Sequence, residues 1–137
     1  MLIAIPLTVI PLILYNILGF TLGDDAWGKV IFSVPLVSDW WPVTLGDLMV
    51  LLGLGFLFFE TLRSVRPNRS ATITNHALST VVLIIYIIEF VVAPVAASST
   101  FFILTLFALF DVLAGFTISI RAASRDISLG QNVDGTA

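Results

Sequence analysis

Four apolar stretches, each close to the length of a bilayer crossing, take up most of this chain. They leave little from which a water-facing surface could be built. They cover about residues 2–22, 44–62, 77–95 and 101–120, and a spanning helix needs about 20 predominantly apolar residues. Of the 137 residues 58% are hydrophobic and only 11% are charged, against about 25% charged in soluble domains. The mean hydropathy is +1.09. Lipid is the solvent that suits such a composition. In lipid an open strand leaves its edge N–H and C=O groups unpaired. The expected fold class is therefore an all-α membrane protein, a four-transmembrane-helix bundle occupying residues 1–123, with a polar, disordered tail over 124–137.

Charge distribution orients the bundle. Arg63, Arg66 and Arg69 gather between spans two and three, and Arg121 and Arg125 follow span four. Lys29 stands alone among the acids Asp24, Asp25 and Asp39 in the connection between spans one and two. Five of the six basic residues thus share one side, which the positive-inside rule assigns to the cytoplasm. An even number of spans then places both termini there. The same arginines are suited to anionic headgroups. The expected location is a bacterial inner (plasma) membrane. Met1 to Ile5 has no Lys or Arg and no small-x-small cleavage site follows, so the first stretch is read as a retained span.

The long outer connection, residues 23–43, carries Trp27, Trp40 and Trp41, whose amphipathic rings suit the membrane–water interface. Its β-prone run from Lys29 to Leu36 is too short to cross the bilayer. It is read either as a short hairpin over the helix ends or as an irregular interfacial loop, with Pro35 arguing against a regular central strand. Thr44-Leu-Gly-Asp47 has the form of a helix start. In span one, Pro11 is expected to bend the helix and release the Leu7 carbonyl, whereas Pro94 is placed to end span three.

Small and polar residues recur at helical spacing and define packing faces. They are Thr8, Leu12, Tyr15, Gly19 and Gly23 in span one, and Gly46, Gly53 and Glu60 in span two. Span three offers Ser79, Val82, Tyr86, Glu89 and Ala93; span four offers Ala108, Asp111, Gly115, Ser119 and Ala122. Small residues let helix backbones approach closely where lipid supplies little drive for association.

Glu89 and Asp111 stand out within this bundle. Counted from the outer ends, they lie roughly 9 and 15 Å deep, with no Lys or Arg inside any span to pair with them. A charge near the bilayer centre costs at least about 2.5–3.5 kcal/mol. Asn16 falls at the depth of Glu89, and Asp47 lies nearer the surface. With Tyr86 these residues are expected to form a polar cluster in the outer half. One reading is an interhelical hydrogen-bond network, each bond contributing about 0.6 kcal/mol; the other is a proton or cation site, or a contact with a partner's cationic residue. At the opposite end Glu60, one turn before Arg63, is spaced for a salt bridge.

Several functions fall away. The chain has no cysteine, no glycine-rich phosphate loop, no paired-His zinc motif and no nucleophile elbow. No enzymatic activity, metal or other cofactor is expected, His76 being a lone histidine without a second ligand motif. No basic stripe with interleaved aromatics points to nucleic acid. Size and span number are similar to those of the small multidrug resistance transporters. The membrane-embedded Glu of that family lies in the first span, however, where this chain has Tyr15 and Asn16, and no family is assigned. The expected role is a nonenzymatic accessory or self-associating subunit, with the bilayer and a homo-oligomer or larger membrane complex as partners. The alternative is a small proton- or cation-coupled transporter or channel using the intramembrane acids.

Overall fold

The computed structural model describes residues 5–64 and 69–133, with side chains described over 5–23, 25–64 and 74–121. Met1 to Ala4, Arg66 and the tail end at 134–137 lie outside the described residues, as do the side chains of Arg69 and Arg125. The chain is mostly helical. Helix α1 (Val9–Leu22) leads through a 3-10 turn (Asp24–Gly28) into strands β1 (Val30–Pro35) and β2 (Trp40–Thr44); α2 (Leu45–Ser64), α3 (Arg69–Val92) and α4 (Ser99–Val133) follow. Among the described residues three apolar helical segments are long enough to cross a membrane: Leu45–Ser64, Thr74–Val92 and Ser99–Arg121. At 14 residues, α1 is about 21 Å long, shorter than the hydrocarbon core.

Local sequence explains the helix ends. Because α1 begins at Val9 rather than near Leu2, Pro11 falls in its first turn, where an N–H would have no intrahelical acceptor. The expected bend does not arise: the Leu7 carbonyl is not released but accepts the Ile10 N–H at 3.0 Å. At the other end Gly23 adopts φ +84°, and its N–H donates to the Gly19 carbonyl at 3.1 Å. That left-handed conformation suits glycine and turns the chain into the 3-10 segment. Thr44 and Asp47 form a reciprocal cap on α2: the Thr44 N–H and hydroxyl donate to Asp47 Oδ2, and the Asp47 N–H donates to Thr44 Oγ1. Helix α3 stops at Val92, two residues before Pro94. Helix α4 has no proline to stop it and continues through Val133, past the expected boundary at residue 120 and into the stretch read as disordered from Ser124.

Between α1 and α2 the hairpin reading is the one realised. β1 and β2 pair antiparallel from Pro35↔Trp40 to Phe32↔Val43, with an irregularity before Val30↔Thr44. The Leu36 N–H donates to the Asp39 carbonyl at 2.8 Å. Hydrogen-bonded and non-bonded pairs alternate from there, which puts Pro35 and Pro42 at non-bonded positions, where the missing N–H would point away from the partner strand. Both prolines are thereby tolerated in a two-stranded sheet that is all edge.

The helices pack through the small-residue faces. Helix α4 lies along both α2 and α3. Gly53 of α2 faces Leu104 and Phe107, Gly46 faces Thr100, and Gly115 of α4 receives the His76 ring from α3. Helix α1 rests on α2, on the 3-10 turn at Asp24–Gly28 and on a second at Pro94–Ala96, and reaches α3 through side-chain hydrogen bonds. Its Tyr15 is fully buried, stacked on Trp27 with ring centroids 4.1 Å apart and edge-on to Phe101 at 4.7 Å. Outward faces carry exposed Leu51, Leu54, Phe58, Ile84, Ile88 and Val91, side chains that suit acyl chains.

Candidate functional site

The polar residues of the interior are drawn together by helical phase into two groups, one toward each end of the bundle. Near the end of α2, Glu60 has no exposed surface. Its Oε1 accepts the Asn75 side-chain amide of α3 at 2.7 Å, and its Oε2 accepts the Leu7 backbone N–H at 2.9 Å. Arg63, one turn on, approaches Glu60 Oε1 at 3.8 Å and donates to Asn75 Oδ1 and to the Ile5 carbonyl. The spacing-based salt bridge is thus one strand of a wider clamp. Burial leaves the carboxyl oxygens of Glu60 no water, and the backbone N–H ahead of α1 has no helical acceptor; each satisfies the other.

Deeper along the same side lies Asp111 of α4, buried with 5% exposure. The Thr8 hydroxyl donates to its Oδ2 over a long 3.4 Å, while Tyr86 donates to the Thr8 carbonyl at 3.0 Å. The Ser79 hydroxyl lies beside the Asp111 carboxyl, and Glu60 and His76 are within electrostatic range. Ser79 Oγ and His76 Nε2 are nonetheless buried without a partner at hydrogen-bonding geometry, as is Ser119 Oγ.

The second group sits toward the hairpin end. Asn16 donates to Glu89 Oε2 at 2.8 Å and to the Leu12 carbonyl at 3.1 Å. Tyr15 bonds the Val95 carbonyl and the Ser98 hydroxyl at 2.9 and 2.6 Å, fastening α1 to the α3–α4 connection. The five residues expected to cluster are therefore distributed. Asn16 and Glu89 pair, Tyr86 and Asp111 meet through Thr8, and Asp47 is an exposed helix cap. Among the tryptophans, Trp40 and Trp41 are exposed on the hairpin, whereas Trp27 is only 7% exposed and lies in the core. Arg63 holds the clamp, and Arg121 is exposed.

Thr8, Asn75 and Ser79 were not singled out as site residues by sequence reasoning, although Thr8 and Ser79 belong to the faces defined by small and polar spacing. Asn75 lies beside His76 ahead of the expected span and carries no such signal. Chemically, these groups can orient helices and exchange protons. Among the described residues no cluster of three or more His, Asp or Glu side chains is placed to hold a metal ion. No family model matches the chain, and no curated protein or solved structure is similar to it.

Proposed function

We propose that this is a nonenzymatic bacterial inner-membrane protein that crosses the bilayer four times with both termini in the cytoplasm. It acts as an accessory or self-associating subunit of a membrane assembly. Helix α1 counts as the fourth crossing because its exposed Ile13, Ile17 and Phe20 offer an apolar side to lipid, and Ile5 to Thr8 extend it toward the Glu60 clamp. Arg63 and Arg121 lie away from the hairpin, in keeping with a cytoplasmic end opposite to it.

The observation that carries the association is the hairpin. Val30, Ile31, Phe32, Leu36, Trp40 and Trp41 are all between 48 and 64% exposed, and only Val43, at the α2 end of β2, is buried, so most of the two-stranded sheet is left uncovered by this chain. An isolated hairpin of this kind is marginal in water, and exposed apolar patches of such extent mark interaction surfaces. The transporter alternative draws its support from Asp111, because Glu89 is bonded to Asn16 and Glu60 is bonded on both oxygens. Native electrophoresis in mild detergent, with crosslinking in the membrane beforehand, tests the reading. An oligomer or a copurifying subunit that is lost in Phe32→Ser/Trp41→Ser is expected. A strictly monomeric species without partner overturns it.

A further inference from the structure

The acids of the interior are not equivalent. Glu60 and Glu89 are engaged by amide or backbone donors at 2.7–2.9 Å, whereas Asp111 takes a bond of 3.4 Å from Thr8. Around that loosely held carboxyl, the seam between α3 and α4 collects hydrogen-bonding capacity. His76 is the only histidine of the chain and is 8% exposed. Its ring lies over Gly115, where a Cβ would overlap its Cε1 and Nδ1 atoms, and it stacks along Phe116 at 6.3 Å. Gly115 is one turn from Asp111 on one side and one turn from Ser119 on the other, so the glycine seats the imidazole between the two. Ser79, one turn deeper on α3 and 2% exposed, faces the carboxyl.

His76 Nε2, Ser79 Oγ and Ser119 Oγ all lack a partner. Buried polar atoms left unpaired are rare, and those that occur call for an explanation such as an ordered water or a functional role. Here two of them, His76 Nε2 and Ser79 Oγ, lie one turn apart on α3, and the Ser79 hydroxyl is beside a carboxyl. The seam also has a direction. His76 lies two residues inside Thr74, about 3 Å from the start of the apolar segment. Asp111 lies ten residues inside Arg121, about 15 Å deep.

We propose that His76, Ser79 and Asp111 form a proton-exchange site that is loaded through water from the end carrying the α2–α3 connection. A proton leaves a hydronium in the seam, which remains as water. It is bound by the His76–Asp111 pair, whose summed charge rises by one, with the Ser79 hydroxyl beside the carboxyl. The groups facing Asp111 from each packed element are Thr8 at the N-cap of α1, Glu60 with Arg63 beyond it on α2, and His76 and Ser79 on α3. Arg63 is committed to Ile5, Asn75 and Glu60, so among the described residues no fixed cation stands in the proton's place. Histidine is the side chain suited to such exchange between about pH 5 and 8. The inference stands whether or not the chain self-associates.

Because His76 is the chain's sole histidine, its imidazole nitrogens can be isotope-labelled and read by NMR in the full chain in lipid bilayers without assignment. Exchange between neutral and cationic imidazole signals as pH is varied is expected. Its midpoint should be displaced in Asp111→Asn and Ser79→Ala but unchanged in Glu89→Gln. A spectrum that does not change with pH overturns the proposal on the wild-type chain alone, whatever the variants do. Signals that respond to sodium at fixed pH, rather than to pH, overturn it in favour of a monovalent-cation site. A titration untouched by both Asp111→Asn and Ser79→Ala overturns it in favour of a histidine exchanging with solvent independently.

Discussion

The Leu7 backbone N–H and the Glu60 carboxyl meet at 2.9 Å across 53 residues of chain, with the Glu60 side chain wholly buried. This bond ties the residue two positions ahead of α1 to the last turns of α2, and Asn75 joins α3 to the same carboxyl. Three helices are thus registered at one end by a single acid. Glu60→Ala should orphan both donors, at about 1–3 kcal/mol for each group left unpaired. Glu60→Gln should lose less, since its amide oxygen keeps one donor while its NH2 faces the other. Denaturant unfolding in mixed micelles, followed by helical circular dichroism, should rank wild type above Gln above Ala.

Two glycines two residues apart, and so on nearly opposite faces of the helix, provide an internal control on packing in α2. A Cβ at Gly53 would overlap Leu104 Cδ2 and lie 3.2 Å from Phe107, whereas one at Gly55 meets nothing within 4 Å. Leu104 is 1% exposed and itself packed in the core, so it has little room to yield. Gly53→Ala should destabilise by roughly 1–3 kcal/mol through overpacking. Gly55→Ala should be neutral or gain up to about 1 kcal/mol from helix propensity. The same unfolding measurement separates them, and equal effects would show that α2 does not pack on α4 through Gly53.

Much of this architecture is written in hydropathy and spacing, because lipid rewards long apolar helices and small residues mark where they touch. Gly46, Gly53 and Glu60 all turn inward, as their spacing of seven implies. Depth counting also placed Asn16 level with Glu89, and the two are bonded. Which polar groups meet across helices was not legible in the same way. It depends on helix rotation and on the true start of α1, and a start at Val9 rather than near Leu2 brings Leu7 to Glu60 and Thr8 to Asp111. Trp27 shows the same limit: its type suits the interface, but the turn after Gly23 folds it back onto Tyr15.

That placement makes the three tryptophans distinguishable by fluorescence. Trp27 is 7% exposed, while Trp40 and Trp41 are 64% and 51% exposed. In variants retaining one tryptophan each, with the others replaced by phenylalanine, Trp27 should resist quenching by aqueous acrylamide. Trp40 and Trp41 should be quenched by acrylamide or by nitroxides attached near the lipid headgroups. Strong acrylamide quenching of Trp27 would contradict its stacking on Tyr15 at 4.1 Å.

The free edge of β2 is closed to another strand. Pro42 has no N–H, the Trp40 N–H donates to Asp39 Oδ1 at 2.7 Å, and the Thr44 N–H donates to Asp47 Oδ2 at 2.8 Å. Sheet edges with free donors invite pairing with other chains. Association of this protein should therefore use the side-chain faces of the hairpin and not the β2 edge. Asp39→Ala/Pro42→Val restores two donors and should raise the fraction of large oligomers on native electrophoresis, with an added intermolecular β-sheet signal by infrared spectroscopy. No change would mean that the edge is covered by something other than its own chemistry.

Sidedness follows from which segments the structure joins. Tyr15, near the end of α1, holds Val95 and Ser98, so the hairpin and the α3–α4 connection belong to one end, opposite to Leu7, Glu60 and Thr74. If all four helices cross the bilayer, Ser38 and Ala97 must face the same compartment and Thr74 the other. The chain contains no cysteine, so single substitutions report position without background. Ser38→Cys and Ala97→Cys should react with a membrane-impermeant maleimide on intact cells; Thr74→Cys should react only after permeabilisation. The arginine distribution sets which side is which, while co-labelling of residues 38 and 97 rests on the fold alone. Opposite labelling of those two positions would exclude the four-crossing arrangement whatever its orientation. Labelling of all three from one side would instead exclude crossings by α2 and α3, the helices that separate position 74 from positions 38 and 97.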